Sequence, residues 1–360
     1  MSINTDLNQS FYGIVDLALH GRLLKALEEG SARYPIYRSI RIAAAADLQS
    51  LFDDFALKLG WHANRPSSEL LMLDGPDIFV CIRGGANKKY SFCFFKIWAQ
   101  SIEAADAAQQ AILSVVGERR ITSPMFTLKW QSIDSNGSLS NVSIQELAND
   151  VLLDQAYPEI PEGVQPFVAD YLNSDEAVLI LYGPPGTGKT RLIRAILGEM
   201  SRRKGDNALV LYAADKATMK SDQVFIEFIT GSNEAFVIED ADHLLRSRTD
   251  GNDDLFRFLT IADGVARAQG RKIIFSTNLP HVRDMDDALV RPGRCFAQLH
   301  VRHLTTEESL RVIEVLCERQ SRSVSDAVDL LGKHSSKSHS LAEVYKSVAG
   351  AGSDKGAASQ

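Results

Sequence analysis

The octapeptide GPPGTGKT, Gly183–Thr190, holds the residue types that a bound polyphosphate needs. It fits GxxxxGK followed by Ser or Thr. It stands between the apolar run AVLILY and a segment of helical spacing, RLIRAIL, the context that makes the pattern specific. The glycines let backbone N–H groups turn inward around a β-phosphate, and the following helix points its positive end at the same anion. Lys189 can reach the β- and γ-phosphates, and Thr190 can ligate Mg²⁺ through its hydroxyl. The rival reading, a glycine-rich turn that happens to contain lysine, is disfavoured once the full motif and both flanks are present. Gly183, Pro184, Pro185, Gly186, Thr187, Gly188, Lys189 and Thr190 are therefore assigned to binding a nucleotide.

A second stretch, AFVIEDAD, Ala235–Asp242, reads as a buried strand that ends in carboxylates. An ATPase usually presents a metal-side Asp and then a water-side Glu at such a place, whereas the order here is Glu239 then Asp240. Both keep the charge needed to hold a hydrated Mg²⁺ and to polarise water. Glu239 is assigned to the metal with Thr190, and Asp240 to the attacking water. Asp242 is the alternative carboxylate, with helix N-capping its expected role.

Two further groups follow. A strand ending in STN would bring Asn278 beside the phosphates if it neighbours the phosphate-loop strand, although a strand-end cap is a serious competitor for that residue. The segment DDALVRPGRCF carries Arg291 and Arg294, which alone would read as an exposed basic turn. An arginine supplied by a neighbouring subunit can stabilise charge on a transferring γ-phosphoryl group. No guanine-reading NKxD is apparent, which lowers a GTPase reading.

The elements that must hold these groups are legible in the alternation of patterns. From about Asn141 strand-like segments recur at 177–182, 208–213, 235–239, 272–276 and 297–301, with helices between them. That predicts a five-stranded parallel α/β sheet of the P-loop NTPase type with helices on both faces. Helical patterns at 307–320, 323–332 and 341–348 then form a small lid. The first part reads as a small α+β domain: helices over 6–30, 43–60 and 104–117, and strands over 69–73, 77–83, 90–98 and 125–133. The turn-rich DSNGSLS marks a boundary, giving domains at 1–140, 141–303 and 304–348, with 349–360 a disordered tail.

Composition limits the classes. Hydrophobic residues at 45% and charged residues at 24% suit a globular protein with a real core. A net charge of −7 counts against general nucleic-acid affinity. The four cysteines form no metal-ligand spacing and read as buried thiols of a reducing compartment. No apolar run reaches the length of a membrane span, and a cytoplasmic location is expected.

The stretch Leu255–Cys295, with the phosphate loop and AFVIED before it, resembles the second region of homology of AAA+ proteins of the AAA proper group. Within that group it looks most like the AAA chaperones of cytochrome bc1 complex assembly, which share a Glu-Asp order, a DGV helix end and RPGR. The membrane helix of those chaperones has no counterpart here, so their membrane role is not carried over. The resemblance implies that Gly183–Thr190 is Walker A and Glu239–Asp240 Walker B, that Asn278 is a sensor orienting the attacking water, and that Arg291 and Arg294 are arginine fingers acting in trans. It also implies ATP and Mg²⁺ as ligands and a homo-oligomeric, hexameric ring, with a protein client held by the N-terminal domain. The region ADKATMKSD, Ala214–Asp222, lacks the aromatic residue and glycine of threading unfoldases and is expected to be a surface loop, and Ala342 stands where other branches carry an arginine. The expected activity is ATP hydrolysis coupled to remodelling or translocating a protein. A helicase-loader type of ATPase and an ATP-gated scaffold with little hydrolysis are the alternatives.

Overall fold

The computed structural model describes residues 34–352 apart from 76, 88, 134–138, 149–151, 205–206, 247–269, 282–284, 289–290, 292 and 333–336, together with 17, 20, 21 and 24. Most of the helix expected over 6–30 lies outside the described residues; at the four positions described within it the backbone is helical. The chain divides into two compact units, Met1–Thr122 and Ser123–Gln360.

In the first unit the strands β1 (Ile36–Ala44), β2 (His62–Ser67), β3 (Leu70–Gly75), β4 (Ile78–Ala86), β5 (Ser91–Ala99) and β6 (Arg120–Ile121) form one antiparallel sheet in the order β2-β3-β4-β5-β1-β6. Helices α1 (Leu48–Lys58) and α2 (Ile102–Val116) start at Asp47 and Ser101, whose side chains accept from Ser50 N and Ala104 N. Their apolar stripes, Leu48, Leu51, Phe52 and Phe55 with Ala108, Ile112 and Val116, bury one face of this sheet. The sequence pattern misses β1 and β2. In β1, Arg38 and Arg41 interrupt the apolar run, and its outer half is only partly buried.

The second unit is built on a seven-stranded sheet. Its members are β7 (Met125–Ile133), β8 (Leu139–Leu147), β9 (Val178–Tyr182), β10 (Ala208–Ala213), β11 (Ala235–Ile238), β12 (Lys272–Thr277) and β13 (Cys295–His300), in the order β13-β9-β12-β11-β10-β7-β8. Strands β9 to β13 are parallel and stand where the sequence places the five strands. Both faces are covered. Along β9, Val178 and Ile180 enter one core while Leu179 and Leu181 enter the other, so the strand reads as an uninterrupted apolar run.

The five-stranded expectation is short by two strands, and the domain boundary at 140 moves to 122/123. Strand β7 joins β10 in parallel, and β8 pairs antiparallel with β7 from Met125↔Leu147 to Ile133↔Leu139. The turn signal around 134–140 thus separates two paired strands of one sheet, where the sequence reading puts a domain border.

Among the described residues of this unit the α-helices are α3 (Val164–Asn173), α4 (Lys189–Lys204), α5 (Lys216–Met219), α6 (Asp222–Thr230), α7 (Asp242–Leu245), α8 (Thr306–Gln320), α9 (Val324–Gly332) and α10 (Leu341–Gly350). The segment expected as a surface loop, 214–222, instead carries α5, capped by Asp215, and buries Met219 in the core under the sheet. Helices α8 and α10, which the sequence reading assigns to a lid, each open with a capping box, Thr305 with Glu308 and Ser340 with Glu343. The tail begins later than expected, since α10 runs to Gly350 and Ala351 is buried. Residues 353–360 lie outside the described residues.

Candidate nucleotide site

The carboxyl ends of β9, β11 and β12 meet one open cavity of about 450 Å³, bordered on its other side by the start of α10. It is lined by Pro185–Arg191, Glu239, Asp240, Ser276, Asn278, Leu341, Ala342 and Tyr345. Crevices at the carboxyl ends of parallel strands are where open α/β sheets take ligands.

The phosphate loop owes its shape to glycine. Gly183, Gly186 and Gly188 have φ of 136°, 79° and 106°, a region that costs L side chains strain. At Gly183 a Cβ would also stand 2.3 Å from the Val301 carbonyl oxygen. The Gly186 carbonyl accepts from Ala342 N at 3.0 Å, and the Gly188 carbonyl from Tyr157 Oη at 3.0 Å. In a trans peptide the N–H points opposite to the carbonyl, so the N–H groups of Thr187 and Lys189 face away from those donors.

Lys189, the first residue of α4, is 8% exposed and donates from Nζ to the carbonyls of Gly183 at 2.6 Å and Pro184 at 2.8 Å and to Asn278 Oδ1 at 3.1 Å. Burial lowers its pKa, and the nearby carboxylates Asp240, Asp242 and Glu239 oppose that shift. Thr190 Oγ1 donates to Glu239 Oε1 at 2.7 Å, and Tyr212 Oη, at the end of β10, donates to Glu239 Oε2 at 2.8 Å.

Glu239 and Asp240 follow directly on the end of β11, and both line the cavity. Asp240 has φ 51°, a left-handed conformation that aspartate tolerates better than most residues. Asn278 Nδ2 donates to Asp240 Oδ1 at 3.2 Å. Asn278 is a cavity residue just past the end of β12, the strand beside β9, and the pairing of β12 with β9 meets the condition under which the sequence puts it near the loop.

Asp242 is not an N-cap. Its Oδ1 accepts from the Thr277 hydroxyl and, at 2.9 Å, from Asn278 N, so it ties the segment after β11 to the end of β12 and fixes the backbone of Asn278. Neither this role nor that of Tyr212 is drawn from the sequence, where the one signal is a polar group at or just beyond the carboxyl end of an apolar strand, Tyr212 near the end of β10 and Asp242 four residues past β11. Arg191, also missed, lies 3.8 Å above the Tyr345 ring of α10.

Arg291 and Arg294 are not brought to this cavity. Strand β13 runs parallel to β9 with Cys295 opposite Val178 and His300 opposite Tyr182, so both arginines lie at the amino end of the sheet and the phosphate loop at the carboxyl end. Four strand steps separate those ends, about 13 Å of rise. Arg291 is exposed; Arg294 is half-buried and donates to the Ala288 carbonyl at 2.8 Å.

Residues 179–303 match the family model described as "ATPase family associated with various cellular activities (AAA)". The chain carries an AAA domain. It is 33% identical over 164 residues to the ATP-dependent zinc metalloprotease FtsH 2 of Salinibacter ruber, covering 42% of this chain and 23% of that protein. It is 24% identical over 159 residues to the mitochondrial chaperone BCS1 of Bos taurus, 41% of this chain and 36% of that one. It is 27% identical over 235 residues to the putative ribosome biogenesis ATPase nvl of Dictyostelium discoideum, 62% of this chain and 25% of that one. The chain thus spans between 23% and 36% of the length of these relatives. No helix among the described residues is long and apolar enough to cross a membrane.

Proposed function

We propose that this chain hydrolyses ATP at the AAA-domain cavity, and that a neighbouring copy completes the site. The observation that carries the reading is the pairing of two carboxylates with two different partners: Glu239 with Thr190, and Asp240 with Asn278. It gives the inverted Glu-Asp order a division of labour.

Lys189, with the loop N–H groups and the start of α4, binds the β- and γ-phosphates. The hard oxygens of Thr190 and Glu239 fit a magnesium ion, which takes few protein ligands and keeps waters and phosphate oxygens for the rest. When bound, that ion supplies charge neutralisation at the phosphates. Asp240 accepts the proton of the attacking water, and Asn278 holds the Asp240 carboxylate and orients the water. Asp242 fixes Asn278 by its backbone N–H.

The arginine fingers act between subunits. Because Arg291 and Arg294 sit at the sheet end away from their own phosphate loop, they serve a site on another copy. A closed ring of six subunits is the arrangement proposed. The first unit binds a protein client, which the ATP cycle remodels or translocates. The absence of an aromatic-glycine loop at 214–222, where α5 buries Met219, argues for remodelling without processive threading. The relatives named as a chaperone and as a protease support this class of work for the AAA domain, and a cytoplasmic location follows the same reading.

The test is a phosphate-release assay on concentrated protein beside an ATP-binding titration. Parent protein should turn over ATP with a rate per subunit that rises with concentration as copies assemble. Asp240→Asn should bind ATP within a few-fold of parent and lose about a hundredfold or more in rate. Parent-level hydrolysis by Asp240→Asn would sink the assignment.

A further inference from the structure

Glu239 is one methylene longer than the aspartate usual on the metal side, and a longer carboxylate has more rotamers to lose. The structure fixes each of its oxygens separately: Thr190 donates to Oε1 at 2.7 Å and Tyr212 to Oε2 at 2.8 Å. We propose that Tyr212 is a positioning residue for the metal-side carboxylate, and that its hydroxyl is what makes glutamate serviceable in the inverted order. The inference rests on the nucleotide-site reading above.

The geometry behind the hydroxyl is specific. Tyr212 stands opposite Val237 of β11, two residues before Glu239, so its ring lies alongside the strand that delivers the carboxylate. On its other side it stands opposite Trp130 of β7, and the two rings meet at 4.6 Å between centroids with a 45° tilt. Strand β7 is one of the two strands added to the expected five-stranded sheet. It therefore backs the residue that holds Glu239. An aspartate at 239 would fall about 1.5 Å short along its chain and would not need this second donor.

Tyr212→Phe keeps the ring on Trp130 and removes only the donor. The readout is the Mg²⁺ concentration that half-saturates binding of a fluorescent, non-hydrolysable ATP analogue, measured beside binding of the same analogue in EDTA. Loss of an outer-shell partner costs a metal site roughly 10–100-fold in affinity. Tyr212→Phe should therefore raise the half-saturating Mg²⁺ by about tenfold, with EDTA binding and melting temperature close to parent. Glu239→Asp supplies the second arm: with the shorter acid in place, adding Tyr212→Phe should change the Mg²⁺ requirement by less than about twofold. Emission of Trp130, isolated by Trp61→Phe and Trp98→Phe, reports whether the ring pair is kept.

An unchanged Mg²⁺ requirement in Tyr212→Phe overturns the proposal. So does an equal loss in the Glu239→Asp background, which would mean the tyrosine supports packing and not the longer carboxylate. A parent chain that binds no analogue at any Mg²⁺ concentration removes the nucleotide-site reading itself, and is told apart by that measurement alone.

Discussion

Asn278 and Lys189 share a hydrogen bond, Nζ to Oδ1 at 3.1 Å, that joins the end of β12 to the phosphate loop. The same amide donates from Nδ2 to Asp240 at 3.2 Å. One side chain thus links the cation assigned to the phosphates with the carboxylate assigned to water. Asn278→Ala should leave ATP affinity within a few-fold, because Lys189 keeps the Gly183 and Pro184 carbonyls. Its turnover should fall by about a hundredfold, the scale of losing one oriented polar group in an active site. Separate kcat and KM values check this; a rise in KM with unchanged kcat would mean that Asn278 serves binding alone.

Arg294 and its own phosphate loop lie at opposite ends of β9, which predicts complementation between two inactive variants. Arg294→Ala keeps an intact carboxylate pair, and Asp240→Asn keeps intact arginines. Each alone should lose hydrolysis, by about a thousandfold for a missing trans arginine. Mixed, they should regain a measurable fraction, since some interfaces would pair the good half of each. Phosphate release across mixing ratios reads this, and a flat, inactive profile in rings shown to be mixed would argue against fingers in trans.

The candidate site is legible in the sequence as a set of neighbours wherever its residues are adjacent in the chain. The phosphate loop, Glu239 with Asp240, and Asn278 all fall in short runs at the ends of apolar strands, and all line one cavity. What escaped was held by partners distant along the chain. Asp242 acts through Thr277 and Asn278, Tyr212 through Glu239, and Tyr157 through Gly188, contacts that exist only once the strands are ordered. Four of the five parallel strands, β9 to β12, are readable because they are largely buried and their apolar runs are nearly continuous, whereas β13 is a partly buried edge strand. Strand β7 was seen as a strand, but a glycine- and serine-rich connection after it reads equally as hairpin or border, and sequence alone does not say which sheet it joins. Arg38 and Arg41 hid β1 in the same way, by breaking the apolar pattern at its partly buried end.

The lid carries an acid-sensitive anchor. Arg302 holds Glu308 through two hydrogen bonds of 2.8 Å, and this guanidinium is the main reason that the Glu308 pKa falls to about 2. A carboxylate depressed in the folded state contributes stability above its unfolded pKa, near 4.3, and loses it as pH falls from there toward 2. Glu308→Gln should be less stable than parent at pH 7, by about 1–3 kcal/mol with solvent screening allowed for. The gap should close by about pH 2–3. Glu159, beside the same arginine, is raised by burial and shifts stability in the opposite sense, so parent and variant are compared at each pH. Melting curves at pH 7, 4 and about 2.5 check the trend; a gap independent of pH would assign Glu308 to α8 capping alone.

Gly188 is where the phosphate loop meets both the lid and the segment before α3. Its φ is 106°, and a Cβ there would lie 2.8 Å from Leu341 Cδ2 and 2.9 Å from Tyr157 Oη. Gly188→Ala therefore combines backbone strain with a clash against α10 and against the hydroxyl that bonds the Gly188 carbonyl. Gly293 offers the comparison, since it has φ 85° and nothing within 4 Å of a Cβ, so Gly293→Ala meets strain alone. Backbone strain of this kind costs about 1–3 kcal/mol, and overpacking adds a similar amount. Denaturant unfolding should find Gly188→Ala the more destabilised of the two by about 1–3 kcal/mol, and ATP affinity should fall only for Gly188→Ala. Equal losses would show that Leu341 and Tyr157 give way, and that the lid does not constrain the loop from which the phosphates are bound.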